Sequence, residues 1–216
     1  VPFTLVALPA VLTQLSTPFG NYILTSVIAG FGDGAVAGWA VVSRLTVLAF
    51  GGLFALSGAI GGIFGQNYGA GRFDRVKRVY RDALLFCAVY TLIAWAVLVL
   101  TSSFVVDAFQ LGVEATEVIR AFTLIAAGSY IFTGALYVAN AAFNSLGRAL
   151  YSTLFNWARD GLLVLPLATL LSGTFAAAGA IYGQALSGII VGIAATIAGW
   201  IYVARLEKRH RVAASG

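Results

Sequence analysis

The chain contains no methionine, a single cysteine, a single histidine and four prolines, and only 10% of its residues carry charge. Each shortage excludes something. Cys87 has no second cysteine to pair with, so no disulfide closes within the chain, and its place in an apolar run makes it a packing residue. The one histidine, His210, sits in the charged stretch "RLEKRHR". A zinc site gathers several His and Cys ligands, so these two residue types cannot build a metal centre here. Catalysis by Ser/His/Asp or Cys/His groups lacks its base within the apolar runs. No enzyme activity, no metal and no bound cofactor are expected. Because methionine is absent even at position 1, the sequence is expected to be a piece of something longer.

What fills the chain instead is hydrocarbon. Hydrophobic residues make up 60% of it, where soluble domains run near half apolar and about a quarter charged. Five uncharged runs, 1–32, 45–71, 83–106, 121–147 and 161–204, each exceed the ~20 residues that cross a bilayer. The last is long enough for two crossings, and "SGTFAAAG" at 172–179 is the one small, flexible break near its middle. An all-α membrane bundle of six helices is therefore expected, with spans near 5–29, 36–63, 81–102, 118–143, 153–171 and 177–204. Barrel strands would be shorter and would alternate in polarity. The first run is too long for a signal peptide and has no basic segment before it.

Charge orients the bundle, because Lys and Arg near span ends favour the cytoplasm. Of 13 basic residues, Arg72, Arg75, Lys77, Arg78 and Arg81 cluster around the second connection, Arg148 lies in the fourth, and Arg205, Lys208, Arg209 and Arg211 lie in a basic tail at 205–216. The other connections carry Asp33, Asp107, Glu114 and Glu117, with only Arg120 close by. Both termini of this segment are expected in the cytoplasm, and the stretch "GQNYGAGRFDRVKR" at 65–78 is expected to be a cytoplasmic loop. Membrane lipid, with its anionic headgroups, is an expected partner for these charges; nucleic acid is not.

Polar residues inside the spans mark the candidate site. In the fourth span Tyr130, Thr133, Tyr137, Asn140 and Asn144 follow steps of three and four and share one helix face, and the first span repeats the pattern with Gln14, Thr17, Asn21 and Thr25. Such groups do not face hydrocarbon cheaply. Two uses stand open: hydrogen bonds between helices, or the lining of a wet cavity. The eleven residues 161–171 cannot cross the membrane, so Arg159 and Asp160 must enter it. Being adjacent, they are expected to point in different directions, with Arg159 snorkelling outward. Asp160 reads as a buried ion-pair member, a charge at the cytoplasmic edge, or a proton- or substrate-linked site. Arg44 lies either deep from the outer face or at the rim, according to where the second span starts. Pro9, Pro18 and Pro166 are expected to kink their helices, and glycines four apart, such as Gly179/Gly183 and Gly188/Gly192, to let helices approach closely.

Three motifs bring in a resemblance. "GDGAVAGWAVVSRL" at 32–45, "GQNYGAGRFDRVKR" at 65–78, with Gln66, Asn67, Gly69, Gly71 and Arg72, and "ANAAFNSLGRA" at 139–149 appear in this order on spans of matching topology. Together they resemble the multidrug and toxic compound extrusion (MATE) family, in its carboxy-terminal half, over essentially the whole chain. The resemblance implies one six-helix lobe of a two-lobed, twelve-helix transporter of the plasma membrane, the bacterial inner membrane, with an amino-terminal lobe as partner. It also implies a small-molecule substrate held between the lobes, and export of amphipathic, often cationic compounds in exchange for H+ or Na+ by alternating access. Gln14, Thr17, Asn21, Tyr130, Tyr137, Asn140 and Asn144 would then line the cavity, with Asp160, Arg44 and Arg159 as its ion-coupling or buried charges. Some relatives carry a carboxylate in the first or fourth helix of this half, whereas this chain has none there. Coupling would then fall to the missing half or to Asp160. Two other functions share the composition: a lipid-linked oligosaccharide flippase of the same superfamily, and a non-transporting membrane scaffold.

Overall fold

The computed structural model describes residues 3–110 and 112–214, and every element among them is helical. Helix α1 spans Phe3–Ala29, α2 Asp33–Gly69 and α3 Phe73–Phe109. A fourth rod is composite: α4 (Val113–Arg120), a π-helical turn (Ala121–Ile125), a 3-10 turn (Ala126–Ser129) and α5 (Tyr130–Ser145). The fifth rod begins with α6 (Ala149–Trp157) and a second π-helical turn (Ala158–Leu163) and continues into α7 (Val164–Ala214). Within 172–179 the backbone of α7 leaves the helical region at Phe175 and at Ala176, whose φ is 49°. That corner separates the fifth rod from the sixth.

The sizes suit a bilayer. Asp33–Gly69, Phe73–Phe109, Val113–Ser145 and Ala149–Leu206 are each long and apolar enough to cross it, the last range holding the α7 corner. Large apolar side chains face outward, Leu100 being 84% and Leu48 80% exposed, as expected where the surrounding solvent is acyl chain. The core is aromatic and aliphatic at the centre of the bundle: Phe50 stacks on Tyr130 at 4.2 Å between centroids, and Phe143 meets Phe155 at 5.9 Å.

Several local features differ from the expectations above. Most of 65–78 is helix, because α2 runs to Gly69 and α3 starts at Phe73; Lys and Arg are good helix formers, and continuing the helix keeps the backbone groups bonded outside the membrane. Only three residues turn. Helix α1 stays a single helix through Pro18. At Pro166 the expected distortion takes the form of the π-helical turn just before it. Proline clashes with the carbonyl four residues back, here Leu162, and the wider turn makes room for it. The helix of α7 continues through the tail to Ala214, while the side chains of Arg209, His210 and Arg211 lie outside the described residues.

Glycine sets the tightest approaches. A Cβ at Gly183 would meet the backbone of Ala168 across the α7 corner, and one at Gly192 would meet Phe132. The glycines of α2 behave otherwise: Gly58, Gly62 and Gly65 face open space.

Candidate functional site

A cavity of about 270 Å³ opens between α1, α2, the fourth rod, the π-helical turn at Ala158–Leu163 and α7. Helix α1 brings Thr17, Gly20 and Asn21 to it, spaced by three and one so that they share a face. The fourth rod brings Tyr130, Thr133 and Tyr137, and the second π-helical turn brings Arg159 and Asp160. The two polar stripes therefore meet across a shared space rather than against each other's backbone.

Arg159 and Asp160 form the site's electrostatic centre. Arg159 Nε donates to Asp160 Oδ1 at 2.7 Å and Arg159 Nη2 to Asp160 Oδ2 at 2.8 Å, a two-pronged pair in which the residues are 8% and 9% exposed. This corrects both expectations for them: the side chains do not diverge, and the guanidinium does not reach out to the headgroups. The π-helical turn advances less per residue than an α-helix, since its hydrogen bonds run to i+5, and the long arginine stem curls onto its neighbour. Thr17 Oγ1 donates to Asp160 Oδ2 at 3.5 Å, and the guanidinium carbon lies 6.0 Å from the centre of the Tyr137 ring, within cation–π reach. Gly20 makes the approach of α1 possible: a Cβ there would sit 2.8 Å from Asp160 Cβ.

Other proposed lining residues fall elsewhere. Asn140 is buried at 8% exposure but does not line the cavity, and Asn144 is exposed at the end of α5. The reason is helix convergence. Beyond the Phe54–Tyr137 ring contact, at 5.6 Å, α2 and α5 close together until Ser145 Oγ donates to Gly61 O at 2.9 Å. The stripe is longer than the space it faces. Gln14 is exposed and also outside the cavity, as is Arg44 on α2; an adjacent residue, Ser43, lines it instead. The sequence reading missed Trp39, Ser43 and Thr46 on α2, Ser129 on the 3-10 turn and Gln184 on α7. Trp39, Ser43 and Thr46 carry the same signal as the other stripes, steps of four and three. Trp39 Nε1 donates to Thr25 Oγ1 at 3.0 Å, tying α2 to α1 beside the cavity.

The loop motif has a backbone explanation. Gly71 has φ 68° and Gly147 φ 79°, and in each turn the next residue's N–H reaches back five positions: Arg72 N to Asn67 O at 2.8 Å and Arg148 N to Phe143 O at 2.7 Å. These are left-handed helix ends of the same type, each followed by arginine. Asn67 Nδ2 also donates to Ile63 O at 2.8 Å. Gln66 and Gly69 remain helical in α2.

Known proteins resemble this chain in sequence and in fold. Residues 9–170 match a family model described as MatE. A relative from Shewanella oneidensis named FAD transporter is 26% identical over 189 residues, covering 88% of this chain and 42% of its own length. An uncharacterized 21 kDa protein of Pseudomonas savastanoi is 34% identical over 116 residues, 54% of this chain and 38% of that protein. The crystal structure of the Vibrio cholerae MATE transporter VcmN in its bent form superposes with a TM-score of 0.83 at 22% identity, over 94% of this chain and 46% of that one. The chain thus spans under half the length of each of these proteins. Its six helical rods, the polar wall of its cavity and the match over residues 9–170 lead to one conclusion: the chain belongs to the MatE family of membrane transporters.

Proposed function

We propose that this chain is the carboxy-terminal lobe of a secondary antiporter that exports amphipathic compounds in exchange for H+ or Na+ by alternating access. The observation that carries the reading is the cavity itself, where hydroxyls and amides of four rods surround one neutralised charge pair and the faces of Trp39, Tyr130 and Tyr137. Flat rings suit those faces, cationic ones included. An amino-terminal lobe completes the enclosure, and ligands with different affinity for the two openings of the cavity bias its orientation. Both termini of this segment lie in the cytoplasm, following the basic bias of Arg72, Arg75, Arg78 and Arg148.

The flippase alternative calls for a markedly basic cavity, and the one guanidinium here is already paired. A second reading of the cargo is favoured by the relative named FAD transporter: a flat-ringed metabolite that is itself anionic. Reconstitution of the full-length protein in vesicles tests the main reading. Movement of a flat-ringed amphiphile, either a lipophilic cationic dye or an aromatic carboxylate, should follow an imposed proton or sodium gradient, and the absence of both under both gradients overturns the proposal.

A further inference from the structure

We propose that Arg159 and Asp160 form a proton-linked subsite for an anionic group on the transported molecule, a carboxylate or a phosphate. The incoming oxyanion takes the guanidinium and a proton takes the carboxylate. This rests on the transport reading above and narrows its cargo to molecules with at least one acidic group.

The pair is poorly placed to be a structural strap. Its partners are consecutive residues of one π-helical turn, so breaking it separates no two helices. Other contacts tie that turn to its neighbours: Ser187 Oγ donates to Arg159 O at 2.7 Å and Trp157 Nε1 to Leu12 O at 2.8 Å. Both charged groups instead line the cavity, and they are its only charged side chains among the described residues.

An asymmetry of chemistry then decides which ligand the pair admits. A carboxylate can accept a proton, whereas a guanidinium cannot lose one under any ordinary condition. If a cation displaced Arg159 from Asp160, a buried guanidinium would be left with only the Tyr137 ring, and an unpaired buried charge is strongly unfavourable. If an anion displaces Asp160 from Arg159, a proton taken up from the bathing solution cancels the charge left behind. The two N–H···O bonds of the pair break and re-form to the oxyanion, and one O–H bond forms on Asp160. Net uptake is one anion and one proton, and the charge of the lobe is unchanged.

Apart from the pair, the only titratable side chains lining the cavity among the described residues are Tyr130 and Tyr137 from α5. Both are phenols, weaker acids than a carboxyl group. Cargo and proton then leave together from this subsite, so the ion that drives export binds elsewhere in the full transporter.

The test is calorimetry on the full-length protein in lipid nanodiscs with three ring-matched probes: 2-naphthoate, 2-naphthalenemethanol and 2-naphthylmethylammonium. Naphthoate should bind about tenfold more tightly than the alcohol, and the ammonium probe more weakly than either. Buffers of different ionisation heat should report uptake approaching one proton per naphthoate. Asp160→Asn should keep the naphthoate preference without proton uptake. The double variant Arg159→Gln with Asp160→Asn removes both charges, leaves neither unpaired, and should lose the preference. Binding of naphthoate by the unaltered protein without proton uptake, a preference for the ammonium probe, or a double variant that still prefers naphthoate would each overturn the proposal. The measurement needs no gradient, so a protein that moves neither the dye nor naphthoate but shows this signature supports the subsite while sinking the transport reading.

Discussion

Asp160 is touched by Arg159 from its own turn and by Thr17 and Gly20 from α1, and the contacts with Arg159 and Gly20 predict different costs. Asp160→Asn leaves the guanidinium buried and unmatched, and the full-length protein should lose about 3–5 kcal/mol of stability. Adding Arg159→Gln should restore most of that loss, an inversion of additivity that thermal unfolding in detergent can read. Gly20→Ala places a methyl against Asp160 and should cost about 1–3 kcal/mol through overpacking, seen as a lower melting temperature in the same assay. That both charges enter the membrane was legible from simple length arithmetic on 161–171. Their pairing was not, because adjacent residues of an ordinary α-helix diverge, and Pro166 announced a distortion there without its π-helical form.

At the scale of elements, irregular turns sit where function would need them. The 3-10 turn at Ala126–Ser129 and the π-helical turn at Ala158–Leu163 both contribute to the cavity wall. If Pro166 forces the latter, Pro166→Ala should let it tighten to an α-helix and swing Arg159 and Asp160 apart. A cryo-electron-microscopy map of the full-length variant would show backbone bonds of i→i−4 register there; an unchanged wide turn would refute the cause assigned to Pro166. The two arginine-bearing turns depend on left-handed glycines, so Gly71→Ala and Gly147→Ala should each cost about 1–2 kcal/mol, again by thermal unfolding. The identity of these glycines was visible in the motif; that both serve the same helix-ending geometry needed the backbone angles.

For the molecule as a whole, the decisive contrast is between its two solvents. Leu100 faces outward at 84% exposure, while Asn21 faces the cavity. In a full-length protein freed of Cys87, which is itself 1% exposed, Asn21→Cys should react with a hydrophilic maleimide and Leu100→Cys should not. Equal reactivity would mean that the face of α1 assigned to the cavity is no wetter than the lipid face.

Composition and run length by themselves determined that this chain is a helical membrane bundle, because uncharged runs beyond ~20 residues leave the backbone few other ways to satisfy itself in lipid. Periodicity also picked out Thr17, Asn21, Tyr130 and Tyr137 as one-sided. Only the tertiary structure decided where those stripes stop facing space, since helix convergence below Tyr137 depends on Gly61 and Ser145 meeting from distant parts of the chain. It also brought Trp39, Ser43 and Gln184 to the same cavity and closed Arg159 onto Asp160. Periodicity says which residues share a side of one helix, and packing alone says what that side meets.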